Sequence, residues 1–78
     1  MPNPVLSVLR LQVSDSKGQE VNVTLLDASG REMLHRNFVP ETNSHREEFD
    51  VSELPTGMYF LQVINPSKQA SLKVLKVK

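Results

Sequence analysis

An all-β sandwich of six to seven short antiparallel strands is what this 78-residue sequence predicts, and three observations carry the prediction. Apolar and polar residues alternate at a spacing of two along most of the chain, the period of a strand. Turn signals built on Asp, Asn, Gly and Pro recur about every ten residues, a rhythm that suits a sandwich better than any helical plan. The stretch Met58 to Ile64 is apolar on both faces, so it must be covered on both and is central.

The elements follow in order. Pro2-Asn3-Pro4 lacks two of three ladder donors, and each proline pushes its predecessor towards extended geometry. Residues 1–4 are therefore a stiff entry segment. Val5 to Val13 is the first strand, with Leu9, Leu11 and Val13 alternating against Arg10, Gln12 and Ser14. Asp15-Ser16-Lys17-Gly18 places Asp first and Gly fourth, as a type I turn prefers, and Asp27-Ala28-Ser29-Gly30 repeats the pattern. Between these turns Val21, Val23 and Leu25 alternate with Asn22, Thr24 and Leu26, a second strand.

From Arg31 to Phe38 the weaker alternation of Leu34, Arg36 and Phe38 predicts a third strand. Propensity alone would equally allow a short helix over Glu32 to Arg36, but the short link before it favours a hairpin. Val39 to His45 is a polar loop. Arg46 to Val51 is a short strand with Phe49 and Val51 inward, and Asp50 or Ser52 can cap a single helical turn ending at Leu54. Pro55 and Gly57 then turn the chain into the central strand, with Tyr59, Leu61 and Val63 on one face and Met58, Phe60 and Ile64 on the other. After Asn65-Pro66-Ser67-Lys68, the last strand runs from Ala70 to Val77. There Leu72 and Val74 share one face while Leu75 and Val77 share the other, which a bulge or a two-sided strand explains.

Tyr59 refines the fold class. It opens its strand directly after a turn, where immunoglobulin-like sandwiches place a tyrosine whose hydroxyl bonds backbone a few residues upstream. The expectation is one small immunoglobulin-like domain over residues 1–78, burying roughly 60% of its unfolded surface.

Composition narrows the function. The chain holds no cysteine, so neither a disulfide nor a thiolate metal site is available. No apolar run approaches the ~20 residues needed to span a membrane, and the start lacks the basic-then-apolar pattern of a signal peptide. The opening at Met1-Pro2 reads as a domain cut from a longer protein and given a start methionine. His35 and His45 have no metal-ligand spacing, and no nucleophile elbow or glycine-rich phosphate loop is present. Glu47, Glu48, Asp50 and Glu53 read as a solvated acidic face. Asn22-Val23-Thr24 matches a glycosylation acceptor, but it falls mid-strand. Leu54-Pro55-Thr56-Gly57 lacks the residue between Pro and Thr of the Gram-positive sortase signal.

Charge is unevenly placed. Residues 1–54 carry five basic and nine acidic residues, a net of −4, while residues 55–78 carry four lysines and no acid. Lysines on a final strand commonly protect an edge, and without arginines or aromatics beside them they make a poor nucleic-acid surface. Neither a cofactor nor a small-molecule substrate is expected, and no enzymatic activity.

Four blocks, in order, resemble the type A C-terminal sorting domains of the bacterial type IX secretion system. Pro2-Asn3-Pro4-Val5 is similar to that family's opening motif, with Met1 where an aromatic usually stands. Val23 to Asp27 with Gly30-Arg31-Glu32-Met33 resembles its apolar strand and hairpin. Leu54-Pro55-Thr56-Gly57-Met58-Tyr59 resembles its Leu-Pro-x-Gly-x-Tyr signature, and Lys73-Val74-Leu75-Lys76 its closing motif.

The resemblance implies a non-catalytic secretion signal with an immunoglobulin-like fold. In such families an attached N-terminal cargo enters the periplasm by its own signal peptide, the translocon reads the folded domain, and a surface sortase usually cleaves upstream of it. The cargo then reaches the cell surface or medium of a Gram-negative bacterium. Carried over by position, the recognition candidates are Gly30, Arg31, Leu54, Gly57, Tyr59, Lys73, Lys76 and Lys78. Gly30 and Gly57 also serve as turn glycines and Tyr59 as a corner, whereas Arg31 and the lysines are expected to be exposed for contact. The competing class is a structural or adhesive sandwich module of an extracellular protein. Sugar binding would normally need exposed aromatics, and the chain holds no Trp.

Overall fold

The alternation predicted above becomes seven strands in a computed structural model that describes residues 3–5 and 7–77. They are β1 (Asn3–Val5), β2 (Val8–Ser14), β3 (Val21–Asp27), β4 (Glu32–Phe38), β5 (Ser44–Asp50), β6 (Gly57–Ile64) and β7 (Gln69–Lys76). Five form one sheet in the order β1-β7-β6-β3-β4, and β2 pairs with β5 in a second. The pairs are antiparallel except β1 with β7, which run parallel. This is the expected all-β sandwich, with β6 between β7 and β3 as its two apolar faces require.

The core lies between the sheets. Leu9, Leu11 and Val13 of β2 and Phe49 of β5 meet Val21, Val23, Leu25, Tyr59, Leu61 and Val74 of the larger sheet. Each such apolar side chain contributes about 1.5–3 kcal/mol by burial. Exposed ion pairs such as Arg10–Glu48 contribute about 0–1 kcal/mol each, so the two inner faces hold the fold together. Arg36 also faces inward, opposite Val23. Its guanidinium lies 4.5 Å from the centre of the Phe49 ring and donates to the Glu48 carbonyl at 2.9 Å, bracing β4 against β5.

Four local expectations are corrected. The predicted strand from Val5 to Val13 is two strands, because the chain leaves the β7 edge after Val5 and joins the other sheet at Val8. The entry segment itself contributes Asn3–Val5 as an edge strand, the position in a sheet where proline is tolerated. The first Asp-x-x-Gly turn slides by one residue: Gln19 donates its N–H to the Ser16 carbonyl at 3.0 Å, while Asp15 adopts a φ of 59°. In the second, Gly30 donates to the Asp27 carbonyl at 3.0 Å, as expected.

The fourth correction concerns the helical turn. Among the described residues there is no helix; Leu54 donates to the Val51 carbonyl in a plain turn, with Asp50 Oδ1 accepting from the Ser52 N–H. β7 pairs with β6 without a break, so of the two explanations for its pattern the two-sided strand holds. The register shift sits instead in β3 and β4, between Leu25 and Leu26.

Candidate recognition site

The two most distinctive sequence blocks meet at one end of the large sheet. β3 ends at Asp27 opposite Tyr59 of β6, so the β3–β4 turn and the loop leading into β6 lie side by side. The turn is held by one carboxylate. Asp27 Oδ1 accepts from the Ser29 N–H (2.9 Å), the Ser29 hydroxyl (2.7 Å) and the Arg31 N–H (2.9 Å). Its Oδ2 lies 3.3 Å from Arg31 Nε. The Ser29 hydroxyl first, then the Arg31 N–H, hold this carboxyl below the usual aspartate range. Gly30 takes a φ of +91°, open to glycine and costly for a side chain.

The opposite wall is set by Tyr59. Its hydroxyl donates to the Pro55 carbonyl at 2.6 Å, and its ring is buried in the core. The tyrosine corner expected from the sequence is present. Asp50 makes a second carboxylate-held turn, its oxygen accepting from the Ser52 hydroxyl at 2.7 Å, which lowers its pKa. Between the walls lies an open cleft of about 280 Å³. Ser29, Arg31 and Met33 line one side, Pro55, Thr56 and Met58 the other. The Arg31 side chain is 76% exposed, so its guanidinium can meet an anionic or carbonyl-rich partner in spite of Asp27.

The structure therefore brings together Gly30, Arg31, Gly57 and Tyr59. Leu54 packs against the core from the same loop. Lys73 is elsewhere, exposed on the outer face of the sheet opposite Phe60. Lys76 corrects the expectation of an exposed terminal lysine set. It lies opposite Gly57 on the inner face and is only 2% exposed, so it cannot reach a partner without the strand moving. Lys78 falls outside the described residues. Met33, part of the hairpin block but not among the recognition candidates, also lines the cleft, beside the β3–β4 register shift. Among the described residues no three potential metal ligands gather, and the cleft offers a cation, hydroxyls and thioethers suited to binding.

The fold and this end of it define a class: a small immunoglobulin-like sandwich whose distinctive residues sit in two adjoining turns. The family is identified by the model of the secretion system C-terminal sorting domain, which matches residues 1–77. The chain belongs to that family, and so is a C-terminal sorting signal of type IX secretion on a secreted or cell-surface protein. No curated protein and no solved structure matches the chain.

Proposed function

We propose that the translocon reads this domain in its folded state, through the cleft between the β3–β4 turn and the β6 entry. The observation that carries the proposal is the meeting of Ser29 and Arg31 with Pro55 to Tyr59 in one cleft, although they are far apart in the chain. Both belong to the blocks that resemble the sorting family. Arg31 is the contact residue, Asp27 and Gly30 fix its backbone, and Tyr59 holds the facing loop. Lys73 and Lys78 add positive charge near the end of the chain. The attached cargo crosses the periplasm ahead of the domain, and a surface sortase removes the domain after export. The domain itself performs no catalysis.

The test fuses the domain behind a signal peptide and a fluorescent passenger in a type IX-competent cell. The native sequence is expected to bring the passenger to the surface or medium. Arg31→Gln, which changes an exposed side chain and so shifts stability within about 0.5 kcal/mol, should leave the passenger in the periplasm. Full export of Arg31→Gln would move the contact away from the cleft. No export by the native sequence would end the sorting proposal.

A further inference from the structure

We propose that the groove between β2 and β7 receives an extended segment of another protein, apolar at alternate positions and acidic between them, which adds to β2 as a strand. The inference goes beyond the sorting reading and concerns a different surface from the cleft.

The first observation is the state of β2's backbone. Ser7 accepts from the Val51 N–H at 2.8 Å and Asp15 donates to the Asn43 carbonyl at 2.9 Å, which bracket the β2–β5 ladder. Bonded and non-bonded pairs alternate in an antiparallel ladder, so Leu9, Leu11 and Val13 spend their backbone groups on β5. Those of Val8, Arg10, Gln12 and Ser14 point the other way, and among the described residues β2 has no second partner.

The second observation is that this edge is unguarded. Free edges are normally blunted by charge, proline, a bulge or short length. β2 is seven residues long with an unbroken register and one charged side chain, Arg10. Its partner β5 follows the rule, with His45, Arg46, Glu47, Glu48 and Asp50.

The third observation is the floor beside that edge. Leu72 pairs with Leu61 on the face that elsewhere forms the core, yet Leu72 is 44% exposed while Leu61 is 2% exposed. Together with Leu11, Val13, Val63 and Ala70 it lines a groove of about 210 Å³ between the sheets. A strand laid along β2 would place alternate side chains into this groove and satisfy the free backbone groups at once, the mode of β-strand addition. Charge selects the occupant. No acidic residue occurs in β2, β6 or β7, Lys68 lies on the groove wall, and Arg10 stands on the outward face of the same edge strand, shared with Glu48 across an exposed 3.1 Å pair. An acidic strand is attracted here and a basic one repelled.

The experiment titrates the isotope-labelled chain with a short peptide alternating valine and glutamate, followed by amide shifts and hydrogen exchange. Shifts should concentrate in β2 and β7, and exchange should slow at Val8, Arg10 and Gln12, the free-edge amides. A peptide with lysine for glutamate should bind more weakly. Leu72→Glu, a change at a half-exposed side chain, should weaken the acidic peptide by about tenfold or more while its spectrum away from β7 stays native. No binding, shifts centred elsewhere, or unchanged exchange at those amides would overturn the proposal. So would protection of the same amides without peptide in a sample that sediments as a dimer, since the occupant would then be a second copy. The titration involves no secretion machinery, so its failure leaves the sorting proposal standing, and the reverse holds.

Discussion

The Tyr59 hydroxyl and the Pro55 carbonyl it reaches at 2.6 Å are the smallest unit on which the site depends. The bond pins the loop that forms one wall of the cleft. Tyr59→Phe keeps the ring in the core and leaves the carbonyl without this donor, at an expected cost of about 1–3 kcal/mol. Urea melts of the two proteins measure it, and coincident midpoints would show that the hydroxyl holds nothing. This contact was legible in the sequence because donor and acceptor are four residues apart and a turn fixes their approach. Lys76 was not legible. Its fate depends on which face of β7 turns inward, and that is set by pairing with β6, which a local pattern does not contain.

Strand β7 carries the second lesson. Lys73 and Lys76 look alike in the sequence, yet one stands on the outer face and the other is 2% exposed. Lys73→Gln should alter stability within about 0.5 kcal/mol, whereas Lys76→Gln should cost about 1–2 kcal/mol through lost packing of its buried aliphatic stem. Thermal melts of the single variants check this, and equal melting temperatures would mean that Lys76 lies at the surface in solution. Removing both charges together, an obvious way to probe recognition, would therefore mix folding with contact. The entry segment differs. Prolines at positions 2 and 4 forbid a central strand, as expected, but the stiff segment still pairs at the sheet edge, where a missing donor costs little.

For the whole molecule, the class of fold and the central place of β6 could be read from period-two alternation and turn spacing. The partition of strands could not. Five strands in one sheet and two in the other follow from long-range pairing, as does the crossing of the chain between sheets around Ser7. The cleft was visible only as two separate blocks, since nothing near Arg31 in the chain announces that Asp27 will face Tyr59. The unequal sheets also explain Leu72: the smaller sheet is too narrow to cover all of the larger one's inner face.

The parallel pairing of β1 with β7 bears on how the domain responds to mechanical load. Asn3, Pro4 and Val5 lie beside Val74, Leu75 and Lys76, so the first and last strands of the fold run side by side in one direction. A pull on the chain ahead of β1, resisted at the chain after β7, draws these strands past each other along their length. Their hydrogen bonds are then sheared together instead of being unzipped in turn, though Pro4 supplies no donor to the clamp. Tension transmitted by a protein attached ahead of the domain would meet this clamp before it reached the core. Force spectroscopy with handles at the two ends should give a higher rupture force than with handles at Asn3 and in the β6–β7 turn, which peel the same strands apart. Equal forces in the two geometries would show that this edge carries no load.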